Sequence, residues 1–144
     1  MISILITFLI YFTNLFIPDV PVDVAVPTSV AIRREYNFSF IEKLSPDQIE
    51  VMNQIIDLNL EHEQELIQLS FCESSLSPNE IGINQSAQHY SEDRGLFQIN
   101  DYFHPDVSDE CAFDIKCSAR WTNKMIEDGN GNQWTCWNKL KLFN

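Results

Sequence analysis

The chain has 144 residues, 44% of them hydrophobic, and a formal net charge of −12. That length holds one domain, and the charge argues against nucleic-acid binding, which needs a basic surface to displace counterions. Cys72, Cys111, Cys117 and Cys136 are an even set, all beyond Ser45, which suggests two disulfides in an oxidising compartment.

Residues Ile2 to Ile17 are apolar and uncharged. The stretch fits the core of a signal peptide better than a membrane span, which needs about 20 residues. No Lys or Arg precedes it, and the best cleavage candidate, Ser29-Val30-Ala31, comes late. A retained anchor, with membrane contact through residues 2–17, therefore stays open, as does a core element. Pro18, Pro21 and Pro27 mark residues 18–44 as a non-helical linker. Asn37-Phe38-Ser39 and Asn84-Gln85-Ser86 match the glycosylation triplet, which is common by chance.

The domain is expected over residues 45–144. Ser45-Pro46-Asp47-Gln48 has the marks of a helix start: a hydroxyl cap, proline first, an acid next and glutamine third. Ile49, Met52, Ile55 and Ile56 follow at helical spacing. A second helix should run from about Glu61 to Glu73 and stop before Pro78. From Ile81 to Asn100 the helical period disappears, as expected for a small β-hairpin region. Residues 114–127 look helical again, with Ala119, Met125 and Ile126 inward. A short last helix should carry Trp134 and Trp137 on one face.

Three segments carry candidate chemistry: Phe71-Cys72-Glu73-Ser74-Ser75, the run from Ser91 through Asp93 and Gly95 to Gln98-Ile99-Asn100, and Asp128-Gly129-Asn130-Gly131 leading to Trp134. On a strand Ser91, Asp93 and Gly95 share one face while Glu92 and Arg94 take the other. Gln98 and Asn100 flank Ile99, and an amide offers both donor and acceptor to a sugar. No cofactor or metal is called for. No cysteine pair is spaced C-x-x-C. The calcium-loop-like start at Asp128 has Gln133 where glycine belongs and Lys139 where a bidentate Glu belongs.

In that order and spacing the segments resemble the lysozyme-like superfamily, nearest to lytic transglycosylase domains with c-type lysozyme features. The resemblance covers roughly Pro46 to Leu140. It implies an α+β fold, mostly helical with a small antiparallel hairpin region. It also implies an enzyme that degrades peptidoglycan at the β-1,4 bond between N-acetylmuramic acid and N-acetylglucosamine. Glu73 would be the general acid, with Trp134 as the aromatic wall that raises its pKa. Asp93 matches the c-type aspartate that stabilises or traps the glycosyl cation; transglycosylases commonly work with the glutamate alone, and then Asp93 is a structural turn residue. Gln98 and Asn100 fall at the central subsites, Ser74 and the cleft-lining Trp134 are expected to bind substrate as well, and Asp128 would touch more distal sugars. Hairpin bonding for Gln98 and Asn100, and a plain turn for Asp128, are the alternatives. Tyr102, Phe103 and His104-Pro105 read as support for the cleft floor.

Three disulfide pairings are possible. Cys111–Cys117, closing a short loop, and Cys72–Cys136, tying the Glu73 helix to the Trp134 segment, are favoured. The expected protein is a monomer that is secreted or exported (extracellular, periplasmic or carried on a virion) and binds glycan strands. Bacterial walls are anionic, so its charge opposes encounter with them. A non-catalytic carbohydrate-binding protein, or a structural envelope or virion protein on the same scaffold, is the competing reading.

Overall fold

A computed structural model describes residues 38–85 and 89–140. The apolar segment 2–17, the linker as far as Asn37, and Ser86 of the second triplet lie outside the described residues.

Among the described residues there are five α-helices and a three-stranded antiparallel sheet. The first helix, α1 (Pro46–Ile56), opens with the capping box written in its sequence. Ser45 Oγ accepts from the Gln48 amide, and the Gln48 side chain accepts from Ser45 N. Met52 and Ile55 are fully buried, with Val51 beside them. The packed unit begins ahead of Ser45. Ile41 is buried in a short 3-10 turn (Ile41–Lys43), and Phe40 stacks on Phe71 with ring centroids 3.9 Å apart. Residues 38–44, read as linker from their sequence, are thus part of this unit.

Asn59, in the left-handed region (φ 49°), turns the chain into α2 (Glu63–Ser74). This helix buries Leu66, Ile67 and Leu69, and its first turn carries Glu63 and Glu65, favourable to the helix dipole. It closes with Ser75 N donating to Phe71 O and Leu76 N to Ser70 O. Ser75 and Leu76 both take positive φ there, a costly end for non-glycine residues.

Strands β1 (Ile81–Gln85) and β2 (Tyr90–Arg94) form the hairpin, and β3 (Ile99–Asn100) adds to β2. The register pairs Gly82 with Asp93, Asn84 with Ser91, and Asp93 with Asn100. One face of the sheet therefore gathers small and polar groups. On the other, Arg94 is buried, donates to Ile99 O and meets Asp109 at 2.7 Å.

Helix α3 (Asp109–Phe113), unforeseen from the sequence, is capped by Ser108. Helix α4 (Ile115–Glu127) is capped by Asp114 and buries Ala119 and Ile126, with Met125 partly covered. A 3-10 turn (Gly131–Gln133) leads to α5 (Thr135–Leu140). Trp134 stands just before α5 in extended backbone, so it and Trp137 are not a helical pair. Both favoured disulfides are present. Cys72–Cys136 joins α2 to α5 across 64 residues, and Cys111–Cys117 joins α3 to α4 across 6. By chain-entropy scaling these contribute about 4 and about 2 kcal/mol. Among the described residues no helix is long and apolar enough to cross a membrane.

Candidate active site

Glu73 lies one residue from the end of α2, partly buried, and its Oε1 accepts from the Cys136 backbone N–H at 3.2 Å. Burial raises its pKa above the ordinary 4.5, and the negative charge of Asp93 adds to the rise. The Cys136 N–H and the charge of Lys139 act the other way and are outweighed. The result is a carboxyl group that holds its proton to higher pH, as a general acid requires. Its position follows from three local devices. The disulfide lies next to it in sequence, α2 ends in a strained turn, and Gln48 Nε2 holds the Ser75 carbonyl at 2.8 Å.

Ser74 is buried. Its hydroxyl donates to Leu96 O at 2.8 Å and accepts from Ser77 N, so it ties the end of α2 to the loop after β2. This internal bonding is what the structure shows for a residue read from sequence as substrate-binding.

Asp93 is clamped by two side-chain amides. Asn84 Nδ2 donates to its Oδ2 and Asn100 Nδ2 to its Oδ1, each at 2.7 Å. Asn100 also donates to Ser91 Oγ, while its oxygen accepts from the Tyr102 and Phe103 amides. Sequence reasoning missed Asn84 as a site residue because its place depends on β1–β2 register. The glycosylation triplet there uses the same nitrogen that holds Asp93. Gly82, opposite Asp93, was missed too: a Cβ would stand 2.9 Å from Gln98 Oε1 and 3.3 Å from Asp93 Cβ.

Gln98 does not extend a strand with Asn100. It sits in the left-handed region (φ 49°), and its Nε2 donates to Gly95 O at 2.9 Å and Glu80 O at 3.3 Å. Both amides nevertheless line one cavity of about 500 Å³, with Ile99, Phe103, His104, Gln133 and Trp134. A second cavity of about 890 Å³ runs from Glu73 to Glu80 and along the start of α1, from Ser45 to Val51. Asp93 links the two regions, bonded to Asn100 on one side and acting by charge on Glu73 on the other.

Trp134 is buried, donates its indole N–H to Phe97 O at 2.8 Å, and packs edge-on to Trp121. It walls the cavity of Gln98 and Asn100. What the C-terminal segment brings to Glu73 is the Cys136 N–H and the Lys139 charge. His104 lines the same cavity as Trp134 and packs edge-on to Trp121, and burial lowers its pKa. Tyr102 and Phe103 are 56% and 68% exposed, and Phe103 lines the cavity of Gln98 and Asn100. Asp128 ends α4 with its carboxylate on Lys124 Nζ at 2.6 Å and lines neither cavity.

The pattern that defines a lysozyme-like domain matches residues 63–139, more than half of the chain and every residue from Glu73 to Trp134 just described. The chain belongs to the lysozyme-like domain family. No curated protein and no solved structure matches it. In this lysozyme-like domain the matched span starts with α2 and ends inside α5, so it includes both partners of the Cys72–Cys136 bridge. Helix α1 and Phe40 precede it, and Phe40 stacks on Phe71 inside it.

Proposed function

We propose that this lysozyme-like domain is a peptidoglycan glycosidase that hydrolyses the β-1,4 bond between N-acetylmuramic acid and N-acetylglucosamine. One observation carries the reading: a carboxyl with a raised pKa, Glu73, stands within electrostatic reach of a carboxylate clamped by two amides, Asp93. Two carboxyl groups with different tasks are what glycosidic cleavage uses.

In the proposed reaction Glu73 gives its proton to the glycosidic oxygen as the bond to the anomeric carbon breaks. The positive charge that develops on the sugar faces Asp93. Because Asn84 and Asn100 fix that carboxylate beforehand, no reorganisation is needed at the moment of reaction. Water then attacks the anomeric carbon and returns a proton to Glu73. The amides of Gln98 and Gln133, with Trp134 as a wall of the same cavity, offer contacts for the N-acetyl group and ring of the bound sugar. The Asn100 amide is taken up by its bonds to Ser91, Asp93 and the following backbone. The two disulfides support work in an oxidising compartment outside the cytoplasm.

The test is mass spectrometry of the products after the oxidised full-length chain is incubated with purified peptidoglycan. Reducing N-acetylmuramic acid ends are expected. Ends of the 1,6-anhydro form, lighter by one water, would mean a transglycosylase and leave Asp93 a structural task. Intact strands from the folded protein would overturn the enzymatic reading in favour of a carbohydrate-binding protein.

A further inference from the structure

We propose that Arg94 is a positioning residue for the reaction: its guanidinium aims the Asn100 amide that fixes Asp93. Its effect on turnover rests on the glycosidase reading, whereas its effect on Asn100 does not. Arg94 follows Asp93 on β2 and so takes the opposite face of the sheet. It is 5% exposed, a depth at which a charged side chain is rare unless it is paired. Three acceptors meet it there. Nε donates to Ile99 O at 3.2 Å, one terminal nitrogen donates to Asp109 Oδ1 at 2.7 Å, and the other to His104 O at 3.4 Å.

Two of those acceptors bracket Asn100. Ile99 precedes it on β3, and His104 closes the turn after it by donating its own N–H to Asn100 O at 3.0 Å. Within that turn the Tyr102 and Phe103 amides donate to Asn100 Oδ1 at 3.0 and 3.2 Å. A side-chain amide whose oxygen is held by the backbone has its nitrogen turned the other way. Here Nδ2 reaches Asp93 Oδ1 at 2.7 Å. The turn sets the direction of the clamp, and Arg94 pins the turn at both ends.

Charge alone does not account for the arrangement. A lysine would keep a positive charge beside Asp109, but its ammonium is a point donor without the planar fork that spans both carbonyls. Asp109, in the first turn of α3, braces the guanidinium from the far side with a side chain 74% exposed. Asn84 reaches Asp93 from β1 and not through this turn, so it serves as an internal reference.

The experiment compares the full chain with Arg94→Lys by side-chain amide NMR and by steady-state kinetics on glycan strands. The Asn100 amide resonances are expected to shift and to exchange with solvent about tenfold faster, while those of Asn84 hold. Turnover should fall about tenfold in kcat with KM within about twofold, because the carboxylate is misplaced rather than the substrate lost. That fall should vanish in an Asp93→Asn background, since Arg94 acts through Asp93. Asp109→Ala removes only the exposed brace and should move the same readings the same way by about threefold; it is the deciding variant if Arg94→Lys does not fold. Unmoved Asn100 resonances overturn the proposal. So does an equal change at Asn84 and Asn100, or a kcat loss that keeps its full size beside Asp93→Asn, since either shows a general loosening of the fold. Parental turnover in Asp93→Asn, or no turnover in any form, would sink the glycosidase reading, and the Asn100 resonances would still decide the placing of Arg94.

Discussion

At neutral pH the ionised form of Glu73 is disfavoured by burial and by Asp93, so the folded state holds this proton more tightly than the unfolded chain does. With the folded pKa above the unfolded value, stability from this group is fully present below about pH 4.5 and falls as pH rises through the folded pKa. Glu73→Gln should therefore raise the melting temperature at pH 7, and the gap should close below about pH 4.5. Thermal melts across pH check it; a constant gap would mean that proton binding is not the cause. Turnover should fall as pH rises through the same pKa, and Glu73→Gln should abolish it. Asp93 is the complementary case. Asp93→Asn keeps the shape but faces the amides of Asn84 and Asn100 with a third amide, and should lower kcat by roughly a hundredfold or more. A kcat within a few-fold of the parent would leave Asp93 outside the chemistry. Glu73 and Asp93 were legible in the sequence by their flanking motifs. Asn84, Gly82 and Gln133 were not, because strand register and the turn before Trp134 bring them to the site.

The end of α2 is the element that positions the proposed acid. Two consecutive non-glycine residues at positive φ, the Gln48 bond to Ser75 O and the Ser74 bond to Leu96 O all fix the turn that follows Glu73. The turn after β2 is equally constrained. Gly95 has φ +68°, and a Cβ there would lie 2.1 Å from the Ala112 carbonyl oxygen. Gly95→Ala should destabilise by about 3 kcal/mol or more, from the strained φ and the forced shift of backbone together. Denaturant titration at constant m-value checks this. Between elements, the Cys72–Cys136 bridge holds α5 beside Glu73. Replacing both of its cysteines by serine should cost about 4 kcal/mol and most of the activity, against about 2 kcal/mol for the Cys111–Cys117 pair. Equal activity losses from the two bridges would show that the longer one does not position the acid. The sequence announced α1 through its capping box, and it announced the Pro78 stop of α2. It did not announce β3, two residues long, because so short a strand has no period to read.

Across the whole molecule the net charge of −12 opposes the anionic wall proposed as the substrate. Repulsion between exposed charges is screened beyond a Debye length, about 10 Å at 0.1 M salt and about 30 Å at 0.01 M. Initial rates on intact walls should accordingly rise as salt increases through this range, while rates on short uncharged glycan fragments stay nearly flat. A fall with salt on walls would point to a local cationic contact that outweighs the overall charge. Of three possible disulfide pairings the sequence by itself favoured the one the structure has without excluding the others; it indicated the lysozyme-like fold class and offered Glu73 and Asp93 as the candidate carboxyl residues. These rest on local patterns: caps, breakers, alternation and short motifs. Tertiary structure alone decided that Asp93 is gripped by Asn84 and Asn100, and that Trp134 walls the neighbouring cavity while the Cys136 N–H reaches Glu73. It also decided that Tyr102 and Phe103 stand exposed, with Phe103 on the wall of that cavity. The physical reason is the same for each. A side chain's type is set by its codon, but its partner and its exposure are set by which distant segment packs beside it.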